Sequence, residues 1–249
     1  MEDLKLRSLD LFSCVGCHSL GFASASIETV AFVEKDAYRQ NVLRRNFPEI
    51  PVHDDVTSLA VNAGEAEIVV GGPPCQQTSV AAAIHGRRSG NSLWNEMLRI
   101  GLELGAEWFV VEQPPGNRAW ETQVAADLSG YGFHVSRVEF AACDLGAPYI
   151  RRRVFVLAST SLSRLEIAWK AVPRQIERVA RSAHARGSWN ADRLATLRVD
   201  AQSAGELDRG RSLNRRKRIE ALGDSNPPEM MEVIGHAIVQ AHHFEMRPC

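Results

Sequence analysis

The chain has 249 residues, 45% hydrophobic and 24% charged, with a formal net charge of −1. That balance fits one sizeable globular domain, or one domain with a small lobe, and excludes collagen-like and disordered classes. No apolar run approaches the roughly 18–20 residues needed to span a bilayer. Met1–Lys5 lacks the basic-then-apolar order of a signal peptide, and five irregularly spaced cysteines are no disulfide framework, so a cytoplasmic setting is expected.

In chain order, Ser8–Ser13 is a short apolar strand running into the small residues Cys14–Cys17, with a helix expected through Leu20–Ser26. Thr29–Val33 is a second strand, residues 36–46 a helix, and Glu67–Val70 a third strand closed abruptly by Gly71-Gly72-Pro73-Pro74. Leu93, Met97, Ile100 and Leu104 give residues 92–104 helical spacing, and Trp108–Val111 is a fourth strand. A helix over 121–129 and strands over 133–140 and 153–158 follow. Strands alternating with helices predict an α/β domain with a mainly parallel sheet over residues 1–160.

Beyond residue 160 the character changes. Residues 161–220 hold 14 Arg or Lys against 7 Asp or Glu, a local +7, while the rest carries −8. Such a segment points to a polyanion partner or to a solvated Arg-rich surface, and charge alone does not choose between them. Residues 161–210 show poor periodicity, and no element is assigned there. Pro227-Pro228 then opens a helix with core-facing Met230, Ile234, Ile238 and Ala241.

Ligands of doubly wound sheets bind beyond the C-terminal ends of the strands. Phe12–Cys17 follows the first strand, and its small residues admit a ligand close to the backbone. Glu34 follows the second strand and can take both hydroxyls of a ribose, and a carboxylate in His53-Asp54-Asp55 can accept from an adenine amino group. Together these outline a site for a nucleoside-containing cofactor. The Gly-Gly-Pro-Pro turn stiffens a loop that presents the Cys75 thiol, and Glu112 ends the fourth strand on the same edge. A thiol and a carboxyl converging there suit covalent attack with acid assistance.

Asp10-Leu11-Phe12-Ser13, Gly71-Gly72-Pro73-Pro74-Cys75-Gln76, Glu112 and Pro148-Tyr149-Ile150-Arg151-Arg152-Arg153 occur in the order seen in cytosine-C5 DNA methyltransferases. Arg218–Pro228 resembles that family's last motif. The resemblance covers residues 7–160 and 212–243. It implies a class I methyltransferase-like, Rossmann-like α/β domain formed by residues 1–160 and 212–249, with residues 161–211 as a short basic target-recognition segment. It implies S-adenosyl-L-methionine as cofactor, with Phe12, Ser13, Gly16, Glu34, Asp55, Pro74, Leu93, Asp224 and Ser225 around it. Cys75 would add to C6 of a flipped cytosine, Glu112 would assist at N3, and Arg151 and Arg153 would steady the base. Gln76, Ser79, Arg174, Arg178, Arg181 and Arg186 would face double-stranded DNA, with the chain acting as a monomer in a bacterial or phage-infected cell. No metal and no membrane partner is expected.

The chain departs from the family pattern around this site. Cys14 and Cys17 replace two loop glycines, Gln113-Pro114 replaces Asn-Val, Tyr149 replaces Gln, and Asp224 replaces Asn. A divergent active enzyme, one using an altered cofactor, a DNA-binding pseudoenzyme and an RNA cytosine methyltransferase all fit that pattern of change. The active DNA enzyme is the reading adopted, since the nucleophile, its stiff loop, the acid and both arginines are all present.

Overall fold

A computed structural model describes residues 5–74, 93–187, 217, 220–221 and 223–245. The apolar runs become strands β1 (Arg7–Leu11), β2 (Glu28–Val33), β4 (Ile68–Gly71), β5 (Trp108–Gln113), β6 (His134–Ala141) and β7 (Arg152–Ser159). A two-residue strand, β3 (Val52–His53), joins them. The seven form one sheet in the order β3-β2-β1-β4-β5-β7-β6. The pairs from β3 to β5 are parallel, and β7 runs antiparallel between β5 and β6. The chain leaves β1 toward β2 and later returns to its other side with β4, so a crevice opens at the carboxyl ends of β1 and β4.

The helices are α1 (Cys17–Ser24), α2 (Ala37–Asn46), α3 (Trp94–Leu104), α4 (Arg118–Gly130), α5 (Leu162–Ala185) and α6 (Pro228–Glu245). Local chemistry sets their ends. Asp36, Asn117 and Ser161 accept the N–H of Arg39, Trp120 and Arg164, three residues on, at the starts of α2, α4 and α5. Gly105, left-handed at φ 65°, closes α3. Pro228 opens α6 as the double proline predicts.

Alternation along the strands divides the core. Ile68, Val70, Trp108 and Val110 face one way, onto α1, α5 and α6. Leu9, Leu11, Val69, Phe109 and Val111 face the other, onto Met97, Ile100 and Leu104 of α3 and Val124 and Leu128 of α4. Close approach of α1 and α6 depends on glycine: a Cβ at Gly21 would lie 2.2 Å from the Pro228 carbonyl oxygen.

One expectation is corrected. Residues 162–185 are a continuous helix, with Pro173 inside it, where no element was assigned. Its buried Leu165, Ala168, Ala171, Val172, Gln175, Val179 and Ala183 recur at spacings of three or four. Three of these seven are alanines, small enough to let α5 lie close against α6, and the helix continues through Pro173, a residue that ordinarily interrupts one. Trp94 and Trp108 are buried in the core, whereas Trp169 on α5 is half exposed.

Candidate active site

The turn between β1 and α1 is tightly wound. Phe12, Cys14 and Gly16 all have positive φ, at 56°, 51° and 86°. Ser13 secures it: its hydroxyl donates to the Asp10 carbonyl at 2.5 Å and accepts the Val33 N–H at 3.0 Å, tying the turn to the end of β2. A Cβ on Gly16 would lie 2.5 Å from the Phe47 ring, so only glycine fits there.

Glu34, 7% exposed, stands at the end of β2. Its two oxygens accept the N–H groups of Cys14 at 2.9 Å and Asp36 at 2.8 Å, and burial raises its pKa against those hydrogen bonds. One N–H per oxygen leaves lone pairs for further donors such as a ribose diol. Asp55 lies beyond β3 and accepts the Thr57 N–H and hydroxyl at 2.9 and 2.8 Å, which lower its pKa. Its second oxygen lies 3.4 Å from Lys35 Nζ. Leu93, half buried, precedes α3 and packs on the same side of the sheet as that helix.

Glu112 is buried at the end of β5, with its Oε1 2.6 Å from Arg153 Nε, a close ion pair not aligned as a hydrogen bond. A Cβ on Gly72 would come within 2.9 Å of Glu112 Oε2, so the second glycine of the loop makes room for the acid. The next residue, Gln113, donates from Nε2 to the Pro73 carbonyl at 2.7 Å, clamping the loop that leads through Pro74. Cys75, Gln76 and Ser79 lie outside the described residues.

Arg151 turns away from Glu112 toward the last motif. Its Nη2 donates to the carbonyls of Gly223, at 2.7 Å, and Ser225. Burial and the neighbouring Arg153 lower its pKa. The substituted residues join the same contact. The Cys14 thiol donates to the Ala221 carbonyl at 3.2 Å, Arg39 pairs with Asp224, and Cys17 lies beside Ser225. Burial raises both thiol pKa values, that of Cys17 to about 12. Cys14, Cys17 and Asp224 therefore lie along one seam where the β1–α1 turn and α2 meet residues 221, 224 and 225.

Of the arginines read from charge, Arg174, Arg178 and Arg181 are exposed on α5 at positions i, i+4 and i+7. Arg186 instead pairs with Glu232 of α6 at 2.8 Å. Sequence reasoning missed two features: the Gln113 clamp, and a buried network in which Asp10 accepts from His18 Nδ1 at 3.1 Å and from the Ser19 hydroxyl at 3.0 Å. Strand alternation holds a signal for the second. Asp10 follows Ser8, and Glu112 follows Val110, on the face that α1 covers.

The profile of the C-5 cytosine-specific DNA methylase family matches residues 6–198. The chain belongs to that family. It is 32% identical over 184 residues to the type II methyltransferase M.AquIA of Picosynechococcus, covering 63% of this chain and 73% of that one. Other type II methyltransferases are matched over 41–55% of their own length, so the chain spans about half of those relatives. Among solved structures it is similar to an Escherichia coli protein assigned as a prophage-encoded DNA modification methyltransferase. The TM-score is 0.51 at 29% identity, covering 62% of this chain and 47% of that one. A mutant of Spodoptera frugiperda DNMT2 shares the fold over 97% of this chain and 99% of its own, with TM-score 0.53 at 12% identity. The family's fold is the Rossmann-like one of S-adenosylmethionine-dependent methyltransferases, as the sheet order and its crevice require.

Proposed function

We propose that this chain methylates C5 of cytosine in double-stranded DNA, with S-adenosylmethionine as cofactor. The observation that carries the reading is the convergence at one crevice of three strand ends. β1 supplies the turn at Phe12–Gly16, β4 supplies a clamped Gly-Gly-Pro-Pro loop leading directly to Cys75, and β5 supplies Glu112 beside Arg153. Glu34 would receive the ribose, Asp55 the adenine amino group, and Phe12, Ser13, Gly16, Pro74, Leu93, Asp224 and Ser225 would line the remainder. The cofactor supplies an electrophilic methyl group.

C5 of cytosine is a poor nucleophile. Addition of the Cys75 thiolate to C6 gives C5 carbanion character, while Glu112 at N3 stabilises the charge that develops on the ring. Once C5 carries the methyl group, its proton leaves, the C6–sulfur bond breaks and the ring regains aromaticity. Arg153 orients Glu112, and Arg151 holds the last motif against the β1–α1 turn. The base must leave the stack, at a cost of a few kcal/mol that DNA contacts offset. Exposed Arg174, Arg178 and Arg181 are suited to phosphate, and residues 161–211 would form the recognition segment.

The test is transfer of labelled methyl from S-adenosylmethionine to unmodified duplex DNA. Label on cytosine that is lost in Cys75→Ala is the expected result. Label on RNA alone, or DNA binding without label and without a covalent adduct on 5-fluorocytosine DNA, would refute the reading.

A further inference from the structure

Strand β6 is an outer edge of the sheet, paired with β7 alone among the described residues. The bonds at the ends of the ladder fix which of its backbone groups face outward. Ala142 donates its N–H to the Arg151 carbonyl, so the even-numbered residues of β6 bond to β7 and the odd-numbered ones point away. The bond from Thr160 to the Glu107 carbonyl sets the matching alternation on the other side of β7. Asp144 accepts the outward N–H of Ala141 at 2.8 Å. The outward N–H groups of Val135, Arg137 and Glu139 have no partner among the described residues. A groove runs along residues 132–137, between Thr122, Ala125 and Ser129 of α4 and Leu162 and Glu166 of α5, so no described element covers this edge. An open edge of this kind is a template for another strand.

The charges on β6 choose that strand. Arg137 pairs with Glu121 of α4 at 2.6 Å, so the odd-numbered side chains, Arg137 and Glu139 among them, stand on the α4 face. Both are partly exposed, at 29% and 25%. When two β6 strands meet antiparallel about a two-fold axis, an axis at Val138 sets Arg137 opposite the partner's Glu139, and Glu139 opposite the partner's Arg137. Each such pair also exchanges the outward N–H and carbonyl groups in full. Moving the axis to Arg137 or to Glu139 puts like charges face to face, which is destabilising. The edge is therefore complementary to itself in this register. Leu162, 51% exposed at the groove, and Trp169, two turns on along the same stripe of α5 and 49% exposed, add apolar surface beside it.

We propose that β6 pairs with β6 of a second copy of this chain, joining the two sheets across a two-fold axis at Val138. The axis lies along the sheet normal, so the two crevices open at opposite ends and neither is covered. The inference is independent of the reaction proposed above, and it replaces the monomer that the family resemblance implies. The experiment is sedimentation velocity over a concentration series, in which the unaltered protein should reach twice the chain mass. Arg137→Glu and Glu139→Arg each set like charges across the axis, and each should weaken association about tenfold or more. Mixed in equal amounts, the two variants should pair with each other, because the carboxylates of one then meet the guanidinium groups of the other. Glu139→Pro removes an outward N–H, spares the bonds to β7 and should also give a monomer. That variant decides the matter if Arg137→Glu, which loses its ion pair with Glu121, does not fold. An unaltered protein that stays monomeric throughout the series would overturn the proposal. So would a dimer that survives Glu139→Pro, or folded charge variants that do not pair when mixed.

Discussion

Replacing Gln113 by alanine removes the donor that clamps the Pro73 carbonyl at 2.7 Å, in a buried setting. The lost hydrogen bond is worth about 1 kcal/mol net, and the buried carbonyl left without a partner adds a comparable desolvation cost, giving about 2 kcal/mol in all. For a chain of this size that is a fall of roughly 4–8 °C in Tm, read by thermal unfolding. Because the carbonyl belongs to the turn leading into Cys75, adduct formation on 5-fluorocytosine DNA should slow as well. Gln113→Glu is the sharper probe. It has the same shape but sets a carboxylate oxygen against a carbonyl oxygen, so it should be worse than alanine at neutral pH. As the pH falls and the carboxyl gains a proton it can donate, and stability relative to alanine should recover. An alanine variant with unchanged Tm, or a glutamate variant as stable as the wild type at neutral pH, would refute the clamp.

Gly21→Ala forces a Cβ to 2.2 Å from the Pro228 carbonyl and 2.6 Å from Met231 Cβ. The cost should reach or exceed the roughly 1–3 kcal/mol of ordinary overpacking, with faster hydrogen exchange across residues 228–245; unchanged exchange would contradict the α1–α6 contact. Alkylation followed by peptide mass spectrometry should label exposed Cys143 well before Cys14 and Cys17, which are buried and held as thiols, and equal rates would show that the seam opens readily. The raised pKa of His18 means that its contribution to stability is fully present below the unfolded value of 6.5 and is lost as pH rises through the folded value. The Tm difference between wild type and His18→Asn should accordingly shrink with rising pH, and a constant difference would show that His18 does not change charge on folding.

The strand-end positions of Glu34 and Glu112 were legible because each ends or follows an unbroken apolar strand, and a sheet of this class places such positions along one edge. The seam was not legible. Cys14, Cys17 and Asp224 read as separate departures in the glycine loop and the last motif, yet their partners are Ala221, Ser225 and Arg39, and for Cys14 and Ala221 the separation is more than two hundred residues. Arg151 and Arg153 looked equivalent two positions apart. In the structure Arg153 meets Glu112, while Arg151 reaches the carbonyls of a segment that no local pattern connects to it. Helix α5 was not legible because Pro173 reads locally as a helix breaker, whereas the helix runs through it and buries a stripe that includes Leu165, Val172 and Val179.

Strand periods, the proline-stiffened loop and the order of the motifs are properties of neighbouring residues, so the chain itself determined the α/β architecture, the positions of the strand-end residues and the family it resembles. Which buried groups satisfy one another is a property of contacts made only when distant segments meet. Desolvation makes an unpaired donor or charge expensive, and folding resolves that cost by choosing partners across the molecule. Tertiary structure alone therefore decided that Gln113 holds Pro73, that Asp10 orients His18, and that Cys14, Cys17 and Asp224 gather where the β1–α1 turn and α2 meet the last motif.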